Sequence, residues 1–118
     1  MIKRCTVYRA ADIIGKRWTL VILLTLSKGS GRKRYSEIKK CIPMITPKML
    51  SGRLKELEHN GIIKKEIKDD HMPISTYYSL TRKGTGLIKV ILNLKKWGLE
   101  WHLGAKQCDE TLCKFCDS

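Results

Sequence analysis

The chain has 118 residues, with 24 Lys or Arg against 11 Asp or Glu, a formal charge of +13; this length holds one hydrophobic core, not two, and the expected partner is a polyanion that releases counterions on binding. The longest apolar run, Leu20 to Leu26 with Thr25 inside it, falls far short of the ~20 residues a bilayer requires, and no signal peptide stands at the start, so a cytoplasmic protein with no membrane association is expected. Thiols are reduced in that compartment, and the five cysteines therefore read as ligands, sensors or small buried hydrophobes, not as a disulfide framework.

Val7, Ala10, Ala11 and Ile14 fall at helical spacing, and after a break at Gly15-Lys16 the pattern resumes with Trp18, Val21 and Ile22. The second of these helices, about Trp18 to Ser27, is apolar on nearly every side and is the predicted centre of the domain. Gly29 and Gly31 end it, because glycine accepts the positive φ that helix ends favour. Arg32-Lys33-Arg34 then reads as a basic loop. Ser36 is predicted to cap a short helix from Glu37 to Cys41, which Pro43 terminates. Thr46 caps the next helix with Pro47 at its first position, where a missing N–H costs nothing, and Asn60-Gly61 closes it. Within that helix Leu50, Leu54 and Leu57 share one face, leaving Lys48, Ser51, Gly52 and Lys55 on the others.

Two strand-like runs follow, 62–68 and 75–80, β-branched and aromatic and joined by a polar turn over 69–74. Thr81 caps a long helix in which Leu87, Val90, Ile91, Leu94, Trp97 and Trp101 form one stripe while Ile88, Leu92 and Leu99 form a second. One small domain has little use for both, so the surplus apolar face predicts a homodimer, with the chain's first helix as companion surface. The expected fold is mainly α with a small β-hairpin (α+β): a winged helix-turn-helix over residues 1–101, dimerising through its terminal helices, followed by a cysteine-containing tail over 102–118.

In a helix-turn-helix the N-terminal half of the second helix enters the major groove of duplex DNA. Thr46, Pro47, Lys48, Met49, Ser51, Gly52 and Arg53 are therefore the candidate DNA contacts. Arginine can hold guanine O6 and N7 with two hydrogen bonds, whereas lysine near a helix start serves phosphate as readily. Arg53 has a second reading, a half-buried stem paired with Glu37, Glu56 or Glu58. Gly52 also has two: close approach to DNA, or tight packing on a neighbouring helix. Arg32, Lys33, Arg34, Lys39 and Lys40 read as phosphate clamps, and Lys64, Lys65, Lys68 and His71 furnish a wing beside the minor groove.

Cys108, Cys113 and Cys116 form C-x4-C-x2-C. With a fourth ligand from His102, Cys5, Cys41 or a second subunit they suit zinc. The same spacing opens a plant-type iron-sulfur site, ranked below zinc, and a redox disulfide or no site at all are the remaining readings. Cys5, with Lys3 and Arg4 beside it, is a candidate redox sensor, an inert buried thiol being the alternative. The chain holds no phosphate-binding glycine loop, no HExxH pair and no nucleophile elbow, and its three histidines are scattered over different elements. No enzyme is expected.

Several ordered blocks carry a family resemblance: Gly15-Lys16-Arg17-Trp18-Thr19-Leu20-Val21-Ile22-Leu23, Arg34-Tyr35-Ser36-Glu37-Ile38, Ile45-Thr46-Pro47-Lys48-Met49-Leu50-Ser51, Arg53-Leu54-Lys55-Glu56-Leu57-Glu58, Gly61-Ile62-Ile63, Tyr78-Ser79-Leu80-Thr81 with Gly84, and Trp97-Gly98. From Cys5 to about Trp101 the chain resembles the HxlR-type branch of MarR-like winged-helix transcription regulators. The resemblance implies a dimer on a pseudo-palindromic operator, with Thr46 to Arg53 in the major groove and the hairpin from Ile62 to Leu80 as the wing. It further implies, from some relatives, oxidant or electrophile sensing at the position of Cys5. The reading is a homodimeric, sequence-specific DNA-binding regulator, a repressor in preference to an activator. Its rivals are a metal- or redox-sensing regulator that uses the tail cysteines or Cys5, and a nonspecific chromatin or RNA-binding protein.

Overall fold

The structure, a computed structural model, describes residues 4–68 and 74–103. Its elements run α1 (Thr6–Ile14), α2 (Thr19–Leu26), β1 (Arg32–Arg34), α3 (Tyr35–Cys41), α4 (Pro47–His59), β2 (Ile63–Lys68), β3 (Ser75–Leu80) and α5 (Arg82–Glu100). As its composition dictates, α2 lies at the centre: Thr19, Ile22, Leu23, Thr25 and Leu26 are all buried, and the Thr25 hydroxyl is satisfied by donating to the Val21 carbonyl at 2.8 Å. Around α2 pack Ile38 and Ile42, then Ile45, then Leu50, Leu54 and Leu57 of α4, Ile62 and Ile63 at the hairpin root, and Ile91 of α5.

The helix-turn-helix is α3 and α4, held at a fixed angle in part by the Tyr35 hydroxyl, which donates to the Pro47 carbonyl at 3.2 Å. Thr46 caps α4 as expected, accepting from the Met49 N–H at 3.1 Å. The start of α3 differs. The expected cap, Ser36, lies inside the helix; Arg34 is the first flanking residue, and Glu37 reaches back to accept its N–H at 2.9 Å. A carboxylate three residues into the helix thus satisfies the N–H of the flanking residue, the reciprocal half of a capping box.

The expected two-stranded hairpin is part of a three-stranded antiparallel sheet in the order β1-β3-β2. Arg32, Lys33 and Arg34 pair with Ser79, Tyr78 and Tyr77. They form a strand and not a loop because the free edge of β3 has backbone groups to satisfy. Adjacent strand residues face opposite ways, so Lys33 turns inward, with only 7% of its surface exposed, while Arg32 and Arg34 stay outside.

Thr81 closes the sheet onto α5. Its Oγ1 accepts from the Gly84 N–H at 3.2 Å and lies 2.6 Å from the Gly61 carbonyl oxygen, to which it donates. Gly84 is required here, since a Cβ at that position would overlap the Ile62 carbonyl oxygen. Along α5 the long apolar stripe divides: Leu87, Ile88 and Ile91 face the core, whereas Val90, Leu94, Trp97 and Trp101 are exposed. Among the described residues no helix is long and apolar enough to cross a membrane.

Candidate nucleic-acid interface

Burial of Leu50, Leu54 and Leu57 fixes which side of α4 meets solvent. Thr46, Pro47, Lys48, Ser51 and Lys55 are exposed there, with Gly52 and Met49 half-exposed at the margins. Lys48, Ser51 and Lys55 follow i, i+3, i+7 spacing and so line one face. Lys55 belongs to this surface, although only the neighbours of Thr46 were named as contacts from the sequence; its spacing from Lys48 is the signal that identifies it. Gly52 is not packed on a neighbouring helix: a Cβ there would meet nothing within 4 Å.

Arg53 is differently placed. Its Nε donates to the Arg17 carbonyl at 3.1 Å and a terminal nitrogen pairs with Glu56 at 2.9 Å, leaving the side chain 18% exposed. The structure therefore gives Arg53 the half-buried, Glu56-paired setting, turned toward the junction of α1 and α2 and away from Lys48. Glu56 also accepts from Lys16 at 2.7 Å, and these cations, Lys16 foremost, hold its carboxyl below the ordinary 4.5.

The remaining cations fall into two groups. Lys40 is exposed on α3, whereas Lys39 is half-buried and donates to the Pro43 carbonyl at 2.9 Å, bracing the turn. On the sheet, register places Arg32, Ser79 and Lys64 in one row and Arg34, Tyr77 and Glu66 in the next, all on one face. Arg32 lies 4.5 Å and Arg34 5.4 Å from the Tyr77 ring centre, so the tyrosine holds two guanidinium groups at the surface. Lys68 is on this face too and pairs with Glu66 at 2.8 Å. Lys65, opposite Tyr78, points the other way, so the three wing lysines do not form a single patch.

His71, Cys108, Cys113 and Cys116 lie outside the described residues. His102, the candidate fourth ligand, is exposed with φ of 59°. Cys5 is exposed at the N-cap of α1, and Cys41 is half-buried. No cluster of three potential metal ligands occurs among the described residues.

A recognition-type helix with an exposed cationic face, set by a preceding helix and flanked by a basic antiparallel sheet, defines a winged helix-turn-helix DNA-binding regulator. The model of the HxlR-like helix-turn-helix family matches residues 13–106, and the chain belongs to that family. The transcriptional regulator YodB of Bacillus subtilis is 39% identical over 102 residues, 86% of this chain and 88% of YodB. Its reduced form superposes with a TM-score of 0.73 over 86% of this chain and 98% of YodB, at 38% identity; diamide-treated and quinone-bound forms of YodB also match. A MarR-family regulator of Porphyromonas gingivalis gives a TM-score of 0.75 at 35% identity over 83% of this chain and 93% of its own. The redox regulator HypR, in its oxidised form, gives 0.70 at 34% identity, covering 81% and 96%. The protein is a transcriptional regulator of the HxlR type, and its family and fold are those of DNA-binding regulators, not enzymes.

Proposed function

We propose that two copies of this chain bind a pseudo-palindromic operator in the cytoplasm and repress transcription. Each copy sets Thr46, Pro47, Lys48, Ser51, Gly52 and Lys55 into a major groove, with Met49 at the rim. The carrying observation is that the polar side of α4 is exposed while all three of its leucines are buried. Lys40 and the Arg32, Arg34 and Lys64 face of the sheet supply backbone contacts, and the β2-β3 hairpin serves as the wing beside the minor groove. Lys48→Ala is expected to weaken operator binding by about 1–3 kcal/mol if the lysine reads a base, or to lower the salt slope by about one if it holds a phosphate. Competition between operator and bulk duplex at fixed salt tests specificity. A preference below about 10³-fold points to a nonspecific binder.

A second reading adds a redox input. It is favoured by the exposure of Cys5 at the foot of α1, on the helix proposed to meet the second copy. Diamide treatment is then expected to change operator affinity in the natural protein and not in Cys5→Ser; equal responses would assign the effect elsewhere. A zinc site at Cys108, Cys113 and Cys116 rests on their spacing. Elemental analysis of protein purified without oxygen decides it, with one zinc per chain expected.

A further inference from the structure

On the outer face of the sheet two arginines share one aromatic ring. Arg32 and Arg34, two residues apart on β1, lie 4.5 Å and 5.4 Å from the centre of the Tyr77 ring on the adjacent strand. Strand alternation puts all three on one side, with Lys64 one strand further on. Among the described residues of this face Glu66 is the single carboxylate, and Lys68 pairs with it at 2.8 Å. Lys68 first, then Arg32 and Lys64, hold its carboxyl below the ordinary 4.5, so the cations converge around one counter-charge that is already paired. Arg32 and Arg34 themselves make no ion pair and donate no side-chain hydrogen bond among the described residues. The ring therefore holds both guanidinium groups while their N–H forks stay unused.

We propose that Tyr77 is a positioning residue for phosphate: it fixes Arg32 and Arg34 so that each takes one of two successive phosphates on a single strand of duplex DNA. This rests on the reading that the chain binds duplex DNA, and adds to it the residue that organises the backbone contact of the sheet. Two residues of β-strand span about 6.6 Å, close to the step from one phosphate to the next along a strand. Each guanidinium can meet a phosphate with two parallel N–H bonds. A long cationic side chain loses rotamer freedom when it binds, and here the ring has removed part of that freedom beforehand. Two like charges held side by side also gain from the approach of an anion. Contacts of this kind carry no sequence information.

Affinity of the full chain for a random duplex is measured by fluorescence anisotropy at several salt concentrations. The double substitution Arg32→Gln with Arg34→Gln is expected to lower the slope of log affinity against log salt by about two. Tyr77→Leu is expected to weaken binding about 5–30-fold, and Tyr77→Phe, which keeps the ring, to bind like the natural protein. Added to the double arginine substitution, Tyr77→Leu should cost nothing further, a result that a merely structural tyrosine would not give. Should Tyr77→Leu not fold, Tyr77→Thr, which suits a strand, takes its place. A loss that persists undiminished without the arginines, or a salt slope that their replacement leaves unchanged, overturns the proposal. Lys48→Ala separates this from failure of the wider reading: if it weakens operator binding while the sheet variants do not, the proposal falls and the reading stands. A natural protein without affinity for duplex DNA overturns both.

Discussion

Among the described residues nothing requires Gly52, since a Cβ at that position of α4 would meet no atom within 4 Å. Glycine in a helix interior is less stable than alanine by about 0.8–1.0 kcal/mol. Gly52→Ala should therefore stabilise the free protein by about that amount, raising its unfolding midpoint by several degrees, and at the same time weaken DNA binding, because the added methyl lies beside Lys48 and Ser51. Unfolding and DNA titration on one preparation check both signs. A more stable protein with unchanged affinity removes Gly52 from the interface. Gly84 provides the opposite case, its Cβ position being occupied by the Ile62 carbonyl, so that any side chain there should cost stability.

At the scale of elements, the junction of α1 and α2 is tied to α4. Trp18 takes a left-handed backbone with φ of 78°, which for a residue other than glycine costs about 1–2 kcal/mol. Arg53 holds the preceding carbonyl, of Arg17, and Glu56 holds Lys16. These contacts give a physical reason for the Lys16-Arg17-Trp18 and Arg53 to Glu56 blocks to occur together. Arg53→Ala should lose about 1–2 kcal/mol of stability, in addition to any effect on DNA. Glu56 is 40% exposed, so solvent screening limits each of its pairs to about 0.2–1 kcal/mol. Its folded-state pKa is depressed below the ordinary 4.5, so its contribution is present above that value and is lost as pH falls through the folded one. Urea midpoints should then show Glu56→Gln less stable than the natural protein at neutral pH and the difference closing as the pH falls below the ordinary 4.5.

The elements marked by periodicity and caps were legible in the sequence: the leucine face of α4, the Thr46 and Thr81 caps, the apolar α2 and the paired runs of β2 and β3 all reappear in the structure. What could not be read depended on partners distant in sequence. Arg32-Lys33-Arg34 has no strand signature and becomes β1 only because β3 offers an edge. Arg53 looks like a DNA contact until Arg17 and Glu56, from other turns, are seen to occupy it. The split between Lys64 and Lys65 follows from strand alternation, but counting charge along the hairpin hides it.

At the scale of the whole molecule, the described residues of α1 and α5 leave a large apolar surface exposed. Val90, Leu94, Trp97 and Trp101 of α5 are 47–66% exposed, and Val7 and Tyr8 of α1 add 76% and 44%. Val90 meets α1 at a cleft of about 280 Å³ that also contains Ala10, Ile13, Ile14 and Leu87. Patches of this kind mark association sites, and a second copy of the chain would bury both indoles. Opposing this, each copy carries a formal charge of +13, and like-charged protomers repel. Salt should therefore tighten the proposed dimer while loosening DNA, because only the second equilibrium releases counterions from a phosphate backbone. Trp97→Glu leaves Leu87, Ile88 and Ile91 in place against the core, so it should unfold cooperatively as a monomer in sedimentation runs. Having lost the second half-site, it should bind operator at least about 10²-fold more weakly. A Trp97→Glu protein that still sediments as a dimer, or a natural protein whose dimer and DNA affinities both fall with salt, would place the subunit contact on another surface.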